Sequence, residues 1–222
     1  MKQPAYPVFI TLEDQPVLVV GGGTVAARKI PGLLAAGGRV QVVSLEIHAD
    51  IKNHSRVQCL MGAYQSQMLE APYPRWRLVF AATNDPCVNE RVASDCQACG
   101  ILCCNCGDAA GGDFFTPATR QAGTITVAVS TSGGSPGLAA RIADAAVDAI
   151  TPAQRQLAGL LLQWRDIIRQ TIPDEAARRD MMRAVSGPHM MEVLESGGLQ
   201  AAEDAFQQLL RDSHWDAQRR DA

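Results

Sequence analysis

Short apolar runs alternate with amphipathic segments along the first half of the chain. Five runs rich in valine, leucine, isoleucine and cysteine have the length of buried strands, and the segments between them have room for helices. The predicted strands occupy residues 16–20, 39–44, 56–60, 77–82 and 101–106. Because strands that alternate with helices form parallel sheets through right-handed crossovers, this half predicts an α/β domain with a parallel sheet.

The pattern changes in the second half of the chain. Residues 109–123 predict a loop, and residues 124–130 predict one more strand before a second glycine-rich loop. From residue 151 onward apolar residues recur every three or four positions, which is the period of a helix, and Pro173 and Pro188 divide this region into shorter helices. We expect three parts: a nucleotide-binding sheet domain at 1–112, a middle segment at 113–150 and a helical C-terminal domain at 151–222.

A glycine-rich turn joins the first predicted strand to a predicted helix at residues 24–36. Gly21, Gly23 and Ala26 fit the G-x-G-x-x-A pattern of a dinucleotide-binding turn, in the strand-turn-helix context that this pattern requires. Gly21 permits a tight turn, Gly23 lets the backbone approach a pyrophosphate, and the helix N-terminus attracts phosphate. The turn therefore predicts a Rossmann-like domain that binds a nucleotide. A glycine turn with a purely structural role is the alternative.

The second predicted strand lacks an acid where Rossmann domains place one for the ribose hydroxyls. Ser44 occupies that position, and Glu46 follows two residues later. Glu46 either binds a ribose hydroxyl or caps the short segment that follows it. No arginine directly follows the strand, which favours NAD over NADP.

Polar residues follow the fourth and fifth predicted strands, at the sheet edge where ligands bind in open α/β folds. Thr83 is a candidate cofactor-binding residue, whereas Asn84 or Asp85 has the position of a helix cap. Asp108 is either a turn residue or a functional carboxylate, which could act as a general base or attract a metal cation.

The second glycine-rich loop, STSGGSPGLAAR, precedes a helix that begins at Pro136. Its hydroxyl groups and backbone N–H groups fit an anion site, but they fit an ordinary capped helix start equally well. The hydroxyl side chains are those of Ser130, Thr131, Ser132 and Ser135.

Composition narrows the possible partners and the compartment. The net charge of -3 argues against bulk nucleic-acid binding, and no apolar run has the length of a membrane span. Because the N-terminus has no signal-peptide pattern, we expect a cytoplasmic protein. The seven cysteines are an odd number in such a protein, so a disulfide framework is not expected. The cysteines in residues 96–106 are either ordinary buried thiols, or they form a metal-binding or redox site. The sequence identifies no set of metal ligands.

Five blocks, in this order, resemble the precorrin-2 dehydrogenase and sirohydrochlorin ferrochelatase family, which forms the N-terminal module of siroheme synthases. The resemblance covers roughly residues 5–150, and the helical remainder is similar only in kind. The blocks are PVFITLEDQPVLVVGGGTVAARK, VVSLEI, FAATNDPCVNERV, CCNCGDAAGGDFFTPA and ITVAVSTSGGSPGLAARI.

The resemblance implies a function and a set of site residues. Members of this family oxidise precorrin-2 to sirohydrochlorin with NAD, and many then insert ferrous iron, which is a substrate of that step. The family's catalytic aspartate falls on Asp108, and a functional serine of its second loop falls on Thr131, with Ser132 next in register. The implied NAD contacts are Thr24, Val25, Leu45 and Glu46. The resemblance also implies a homodimer formed through residues 113–150.

The implied tetrapyrrole carries many carboxylates, so the slightly acidic protein needs local positive charge to bind it. Arg120 and Arg141 border the two loops and are our candidates. Two other functions stay open. The chain is either a dehydrogenase without chelatase activity, or a nucleotide-sensing regulatory module whose helical tail binds a partner.

Overall fold

The computed structural model describes residues 5–108 and 110–220, with side chains up to residue 212. Residues 1–4, 109 and 221–222 of the three expected parts lie outside the described residues. The chain forms two compact units, Met1–Thr116 and Pro117–Ala222. The boundary lies close to the one that we expected after residue 112, and the expected boundary at residue 150 lies inside the second unit.

The first unit is a five-stranded parallel sheet with helices between its strands. The strands run in the order β3-β2-β1-β4-β5 and all neighbours are parallel, so the predicted α/β Rossmann-like class is confirmed. The elements are β1 (Pro16–Gly22), α1 (Thr24–Ala35), β2 (Arg39–Ile47), α2 (Ala49–Lys52), β3 (Val57–Met61), a 3-10 helix (Ser66–Leu69), β4 (Leu78–Ala81), α3 (Pro86–Ala98) and β5 (Leu102–Asn105).

Each face of this sheet is covered, and β1 shows how the sequence specifies both layers. Val17 and Val19 pack into a cluster with apolar residues of α1, whereas Leu18 and Val20 pack into a second cluster with residues of α3 and the 3-10 helix. Successive side chains of a strand point to opposite faces, so a central strand needs apolar residues at every position. This is why the run VLVV is continuous and does not alternate with polar residues.

The second unit begins with an antiparallel hairpin and continues as helices. Our prediction of a loop throughout residues 109–123 is wrong at β6, because its polar sequence ATRQA pairs with the apolar β7 and only Ala122 is buried. None of the helices in the described ranges is both long and apolar enough to cross a bilayer. The elements are β6 (Ala118–Ala122), β7 (Ile125–Val129), α4 (Pro136–Asp148), α5 (Pro152–Thr171), α6 (Glu175–Val185) and α7 (Pro188–Arg220).

Helices α5, α6 and α7 share one apolar core. Trp164 of α5 stacks on Phe206 of α7 with ring centroids 4.4 Å apart, and its indole N–H donates to Glu203 at 2.8 Å. Thr151 and Gln154 form a capping box that fixes the start of α5. As predicted, the helices break at the segments that contain Pro173 and Pro188.

We expect Trp164→Ala to lower the free energy of unfolding by about 3–5 kcal/mol, because it removes a buried aromatic side chain and leaves a cavity. The measurement is urea denaturation followed by far-UV circular dichroism. Leu162→Ala on the same helix is the matched control, since Leu162 is 59% exposed. An equal loss of stability in both variants would contradict this account of the core.

Candidate functional site

The glycine turn lies where the strand order reverses, between β1 and β4. Gly21 has φ = 112°, and a Cβ atom there would collide with the carbonyl oxygen of Ala82. Only glycine tolerates both the backbone conformation and this close approach. In open α/β sheets the crevice at this reversal is where ligands bind. Gly21 therefore brings the end of β1 against the end of β4, at the edge where a ligand is expected.

Gly23 leaves the start of α1 open. It is the N-cap residue, and a Cβ atom built on it would meet nothing within 4 Å. No side chain among the described residues caps this helix, and Thr24 is exposed while Val25 is half-buried. The first backbone N–H groups of a helix have no partners within the helix, so they are free to hold a phosphate. The open space and the uncapped N-terminus both fit the pyrophosphate of a dinucleotide.

Glu46 lies beside the glycine turn. Our prediction that the second strand ends at residue 44 is wrong, because a β-bulge lets β2 continue to Ile47, which pairs with Gly22. A Cβ atom on Gly22 would collide with the carbonyl oxygen of Glu46. Both Leu45 and Glu46 are exposed at this end of β2. Glu46 therefore lies at the end of β2 next to the glycine turn, which is the region where Rossmann folds place the acid that binds a ribose, and this role stays a prediction.

The capping role that we considered for Glu46 belongs to another residue. The Nδ1 atom of His48 accepts a hydrogen bond from the N–H of Asp50 at 3.3 Å, so His48 caps α2. Of the two roles that we considered for Glu46, ribose binding is therefore the one that stays as a prediction. At α3 the cap is Asp85, which accepts from the N–H of Cys87 at 2.9 Å, and not Asn84.

Thr83 is held by an asparagine that the sequence analysis missed. The Oδ1 atom of Asn89 accepts from the backbone N–H of Thr83 at 3.0 Å, and its Nδ2 atom donates to the Thr83 carbonyl at 3.1 Å. The Thr83 hydroxyl lies 2.8 Å from the same Oδ1 atom and 3.0 Å from the carbonyl oxygen of Asp85. The Thr83 side chain therefore shapes the turn after β4.

Asp108 presents an exposed carboxylate after β5. The Oδ1 atom of Asn105 accepts from the backbone N–H groups of Gly107 at 3.0 Å and Asp108 at 3.1 Å, which fixes the turn. One carboxylate oxygen of Asp108 accepts from the N–H of Ala110 at 2.9 Å. Because the carboxyl ends of parallel strands meet at one edge, Asp108 lies on the same edge as the glycine turn.

The segment after Asp108 folds back along β5. The N–H of Asp113 donates to the carbonyl of Cys103 at 2.8 Å, and the Asp113 carboxylate accepts from the N–H of Cys103 at 2.9 Å. A Cβ atom on Gly112 would lie only 2.7 Å from the nitrogen of Asn105. The loop that carries Asp108 is therefore anchored on both sides.

The cysteines form no metal cluster among the residues that the structure describes, where no group of three or more metal-ligating side chains occurs. All seven thiols are free. Cys103 and Cys104 face opposite sides of the sheet, as predicted. A hydrogen bond from Cys104 and, to a smaller extent, the positive charge of Lys29 lower the pKa of Cys106 to about 7 against the opposing effect of burial.

Lys29 is a cation near the end of β5 that the sequence analysis did not select. Its Nζ atom donates to the hydroxyl of Thr116 at 2.7 Å and lies 6.0 Å from the centre of the Phe80 ring. Lys29 lies on α1, the helix that follows the glycine turn. In the sequence, only its position three residues after Ala26, the last residue of the glycine pattern, could have drawn attention to it.

The second glycine-rich loop belongs to the second unit and has the form of a capped helix start. The Thr131 hydroxyl donates to the Ser135 carbonyl and accepts from the Ser135 N–H, both at 3.0 Å. The Ser135 hydroxyl accepts from the N–H of Leu138 at 3.2 Å. Ser132 is exposed with φ = 53°, a conformation that favours glycine. Of the hydroxyls that we selected, those of Thr131 and Ser135 are therefore engaged within the loop, and that of Ser130 accepts from the N–H of Ser132 at 3.1 Å.

The two candidate arginines differ in their surroundings. The Nε atom of Arg120 forms an ion pair with the carboxylate of Asp144, while Arg141 is exposed on α4. Among the expected site residues, those of the second unit are Arg120, Thr131, Ser132 and Arg141. The first unit holds Gly21, Gly23, Thr24, Val25, Leu45, Glu46, Thr83 and Asp108 at one sheet edge.

Two family models match the chain. The model described as "Putative NAD(P)-binding" matches residues 8–118, which is half of the chain, and includes the glycine turn and Asp108. The model described as "Sirohaem synthase dimerisation region" matches residues 155–210, on helices α5, α6 and α7. The dimer contact that we expected from residues 113–150 stays a prediction.

Curated relatives and a solved structure extend this result. The chain is similar to the siroheme synthases of Chromobacterium violaceum, at 36% identity over 89% of the chain, and Methylococcus capsulatus, at 34% over 92%. Each match covers 42% of the relative, so the chain spans less than half the length of these proteins.

The solved structure named "SirC, precorrin-2 dehydrogenase" matches with a TM-score of 0.72 and 24% identity, over 93% of this chain and 100% of that one. This likeness establishes a shared fold. An NAD(P)-binding domain over half of the chain is followed by a sirohaem synthase dimerisation region. The chain therefore belongs to the family that forms the N-terminal part of siroheme synthases.

Proposed function

We propose that this protein is an NAD-dependent precorrin-2 dehydrogenase, which oxidises precorrin-2 to sirohydrochlorin in siroheme biosynthesis. The observation that carries the proposal is the exposed Asp108 carboxylate on the same sheet edge as an open glycine turn. The names of the relatives support the choice of substrate, since one is a precorrin-2 dehydrogenase and others are siroheme synthases.

The proposed cofactor site uses the first unit. The backbone N–H groups at the start of α1 hold the pyrophosphate beside Gly23, and Glu46 accepts hydrogen bonds from the ribose hydroxyls. Thr24, Val25 and Leu45 flank these groups, and Thr83 after β4 is the remaining candidate contact. Bound NAD would supply the acceptor for a hydride. The absence of an arginine directly after Glu46 favours NAD over NADP.

Asp108 acts as the proton acceptor in this proposal. The oxidation removes a hydride and a proton from the tetrapyrrole, and the exposed carboxylate takes the proton. Its hydrogen bond from the N–H of Ala110 occupies one carboxylate oxygen and orients the group. The other oxygen is the one that we assign to the substrate.

We also propose that ferrous iron is a second substrate, inserted into sirohydrochlorin at the same site. Insertion releases two pyrrole N–H protons, and Asp108 is the candidate acceptor. Arg120, Arg141, Thr131 and Ser132 of the second unit stay our candidates for the substrate carboxylates, and of these Arg141 and Ser132 are exposed. The homodimer is proposed from the matched dimerisation region.

We expect Asp108→Asn and Asp108→Ala to lower kcat for precorrin-2 oxidation by roughly 10²–10⁴-fold, the contribution of a positioned general base. The affinity for NAD should stay unchanged, because Asp108 lies after β5 and the proposed NAD contacts lie at the ends of β1, β2 and β4. The measurement is NADH absorbance with precorrin-2 and NAD, and Glu70→Gln is the control because Glu70 is exposed.

Full activity in either Asp108 variant would refute the role of this carboxylate. No NADH from the unmodified protein would refute the dehydrogenase proposal and favour a nucleotide-sensing module. A second assay supplies sirohydrochlorin with ferrous ion and follows the absorbance of the metallated ring. Activity in the first assay alone would identify a dehydrogenase without chelatase activity.

We expect Gly23→Ala to weaken NAD binding about tenfold, equivalent to about 1.4 kcal/mol, because its methyl group enters the space for the pyrophosphate. The measurement is fluorescence titration with NAD, together with the thermal midpoint. Gly32→Ala is the matched control, since a Cβ atom there also meets nothing within 4 Å but lies farther along α1. Unchanged NAD affinity in Gly23→Ala would contradict the proposed pyrophosphate site.

A further inference from the structure

Two asparagines are buried at the sheet edge that carries the site. Asn105, the last residue of β5, is 4% exposed, and Asn89 of α3 is 2% exposed. A buried amide costs free energy unless its polar atoms form hydrogen bonds, and asparagine is seldom fully buried. The proposed reaction uses neither side chain. Their burial beside Thr83 and Asp108 therefore calls for an explanation.

Asn105 bonds to the backbone that carries Asp108. Its Oδ1 atom accepts two hydrogen bonds, from the N–H groups of Gly107 and Asp108. The N–H of Asp108 is part of the residue whose carboxylate we assign to proton transfer. The direction in which Asp108 leaves the strand is therefore set by the Asn105 amide.

Asn89 supports the same turn from the neighbouring helix. It holds both backbone polar groups of Thr83, and its Nδ2 atom would lie 3.2 Å from a Cβ atom built on Gly107. The same Cβ atom would lie 3.5 Å from the Oδ1 atom of Asn105. A side chain at residue 107 would therefore crowd both buried amides. The turn after β4 and the turn after β5 lie next to each other, and the N–H of Cys106 donates to the carbonyl of Ala81 at 2.8 Å.

We propose that Asn105 is a positioning residue, whose buried amide fixes the Gly107–Asp108 backbone and so aims the Asp108 carboxylate at the substrate. Asn89 supports this arrangement by packing against Gly107. The proposal rests on the proposed function, because it assigns Asn105 an effect on the step that Asp108 performs.

A neutral amide suits this position better than a carboxylate. Aspartate would also offer an oxygen to the two N–H groups, since asparagine and aspartate form the same side-chain turn. A second negative charge next to Asp108 would disfavour its ionised form, which a proton acceptor requires. Asparagine fixes the loop without this repulsion.

We expect Asn105→Ala to lower kcat by roughly 10²-fold, the scale of a misplacement of about 1 Å at a reacting group. The KM for NAD should change less than twofold, because the proposed NAD contacts lie at the ends of β1, β2 and β4, whereas Asn105 ends β5. Asn105→Ser should recover part of the kcat, because a serine hydroxyl can accept the same backbone N–H groups more weakly. Asn53→Ala, an exposed asparagine on α2's C-terminal side, is the control.

The measurements are NADH formation with precorrin-2 and NAD, NAD titration and thermal midpoints, made on the unmodified chain, Asp108→Ala and the Asn105 variants together. If Asn105→Ala keeps the kcat of Asn53→Ala while Asp108→Ala is inactive, the positioning role is refuted and the proposed function stands. The positioning role is also refuted if Asn105→Ser recovers none of the lost kcat. It is likewise refuted if Asn105→Ala loses NAD affinity by the same factor as it loses kcat. An active Asp108→Ala variant would instead refute the role of Asp108 on which the inference rests.

Discussion

The close approach of Gly21 to the carbonyl of Ala82 sets the geometry on which the site depends. A side chain at residue 21 would collide with this carbonyl, and Gly21 has a positive φ at the end of β1, where the chain bends toward the start of α1. The helix that follows then begins beside the end of β4. Without this contact the uncapped start of α1 and the turn at Thr83 would not share one crevice.

The same edge is built by repeated close backbone contacts. Gly22 lies against the carbonyl of Glu46, and Gly112 lies against the nitrogen of Asn105. The first contact joins the ends of β1 and β2, the second holds the segment after Asp108 against β5, and each needs the absence of a Cβ atom. The glycines therefore place the carboxylates of Glu46 and Asp108 at the ends of one sheet, even though these residues lie far apart in the sequence.

The sequence predicted the parts of the fold that local pattern controls. The apolar runs predicted the parallel strands, and the glycine spacing predicted the turn after β1. It did not predict the β-bulge that carries β2 to Ile47, because a bulge depends on the pairing with Gly22 and not on the strand's own residues. It also missed β6, whose polar residues lie mostly exposed beside β7.

Buried asparagines are hard to predict from sequence for a related reason. Asn89 lies on a helix and Asn105 ends a strand, and in both places an asparagine is ordinarily expected to be exposed. Only the hydrogen bonds in the structure show that both amides take the place of backbone partners, Asn89 for Thr83 and Asn105 for Gly107 and Asp108. A carboxylate such as Asp108 can be selected from its strand-end position alone. The groups that hold Asp108 in place are neutral side chains. Their role depends on contacts between elements that are distant in the sequence, so these positioning residues can be identified only in the structure.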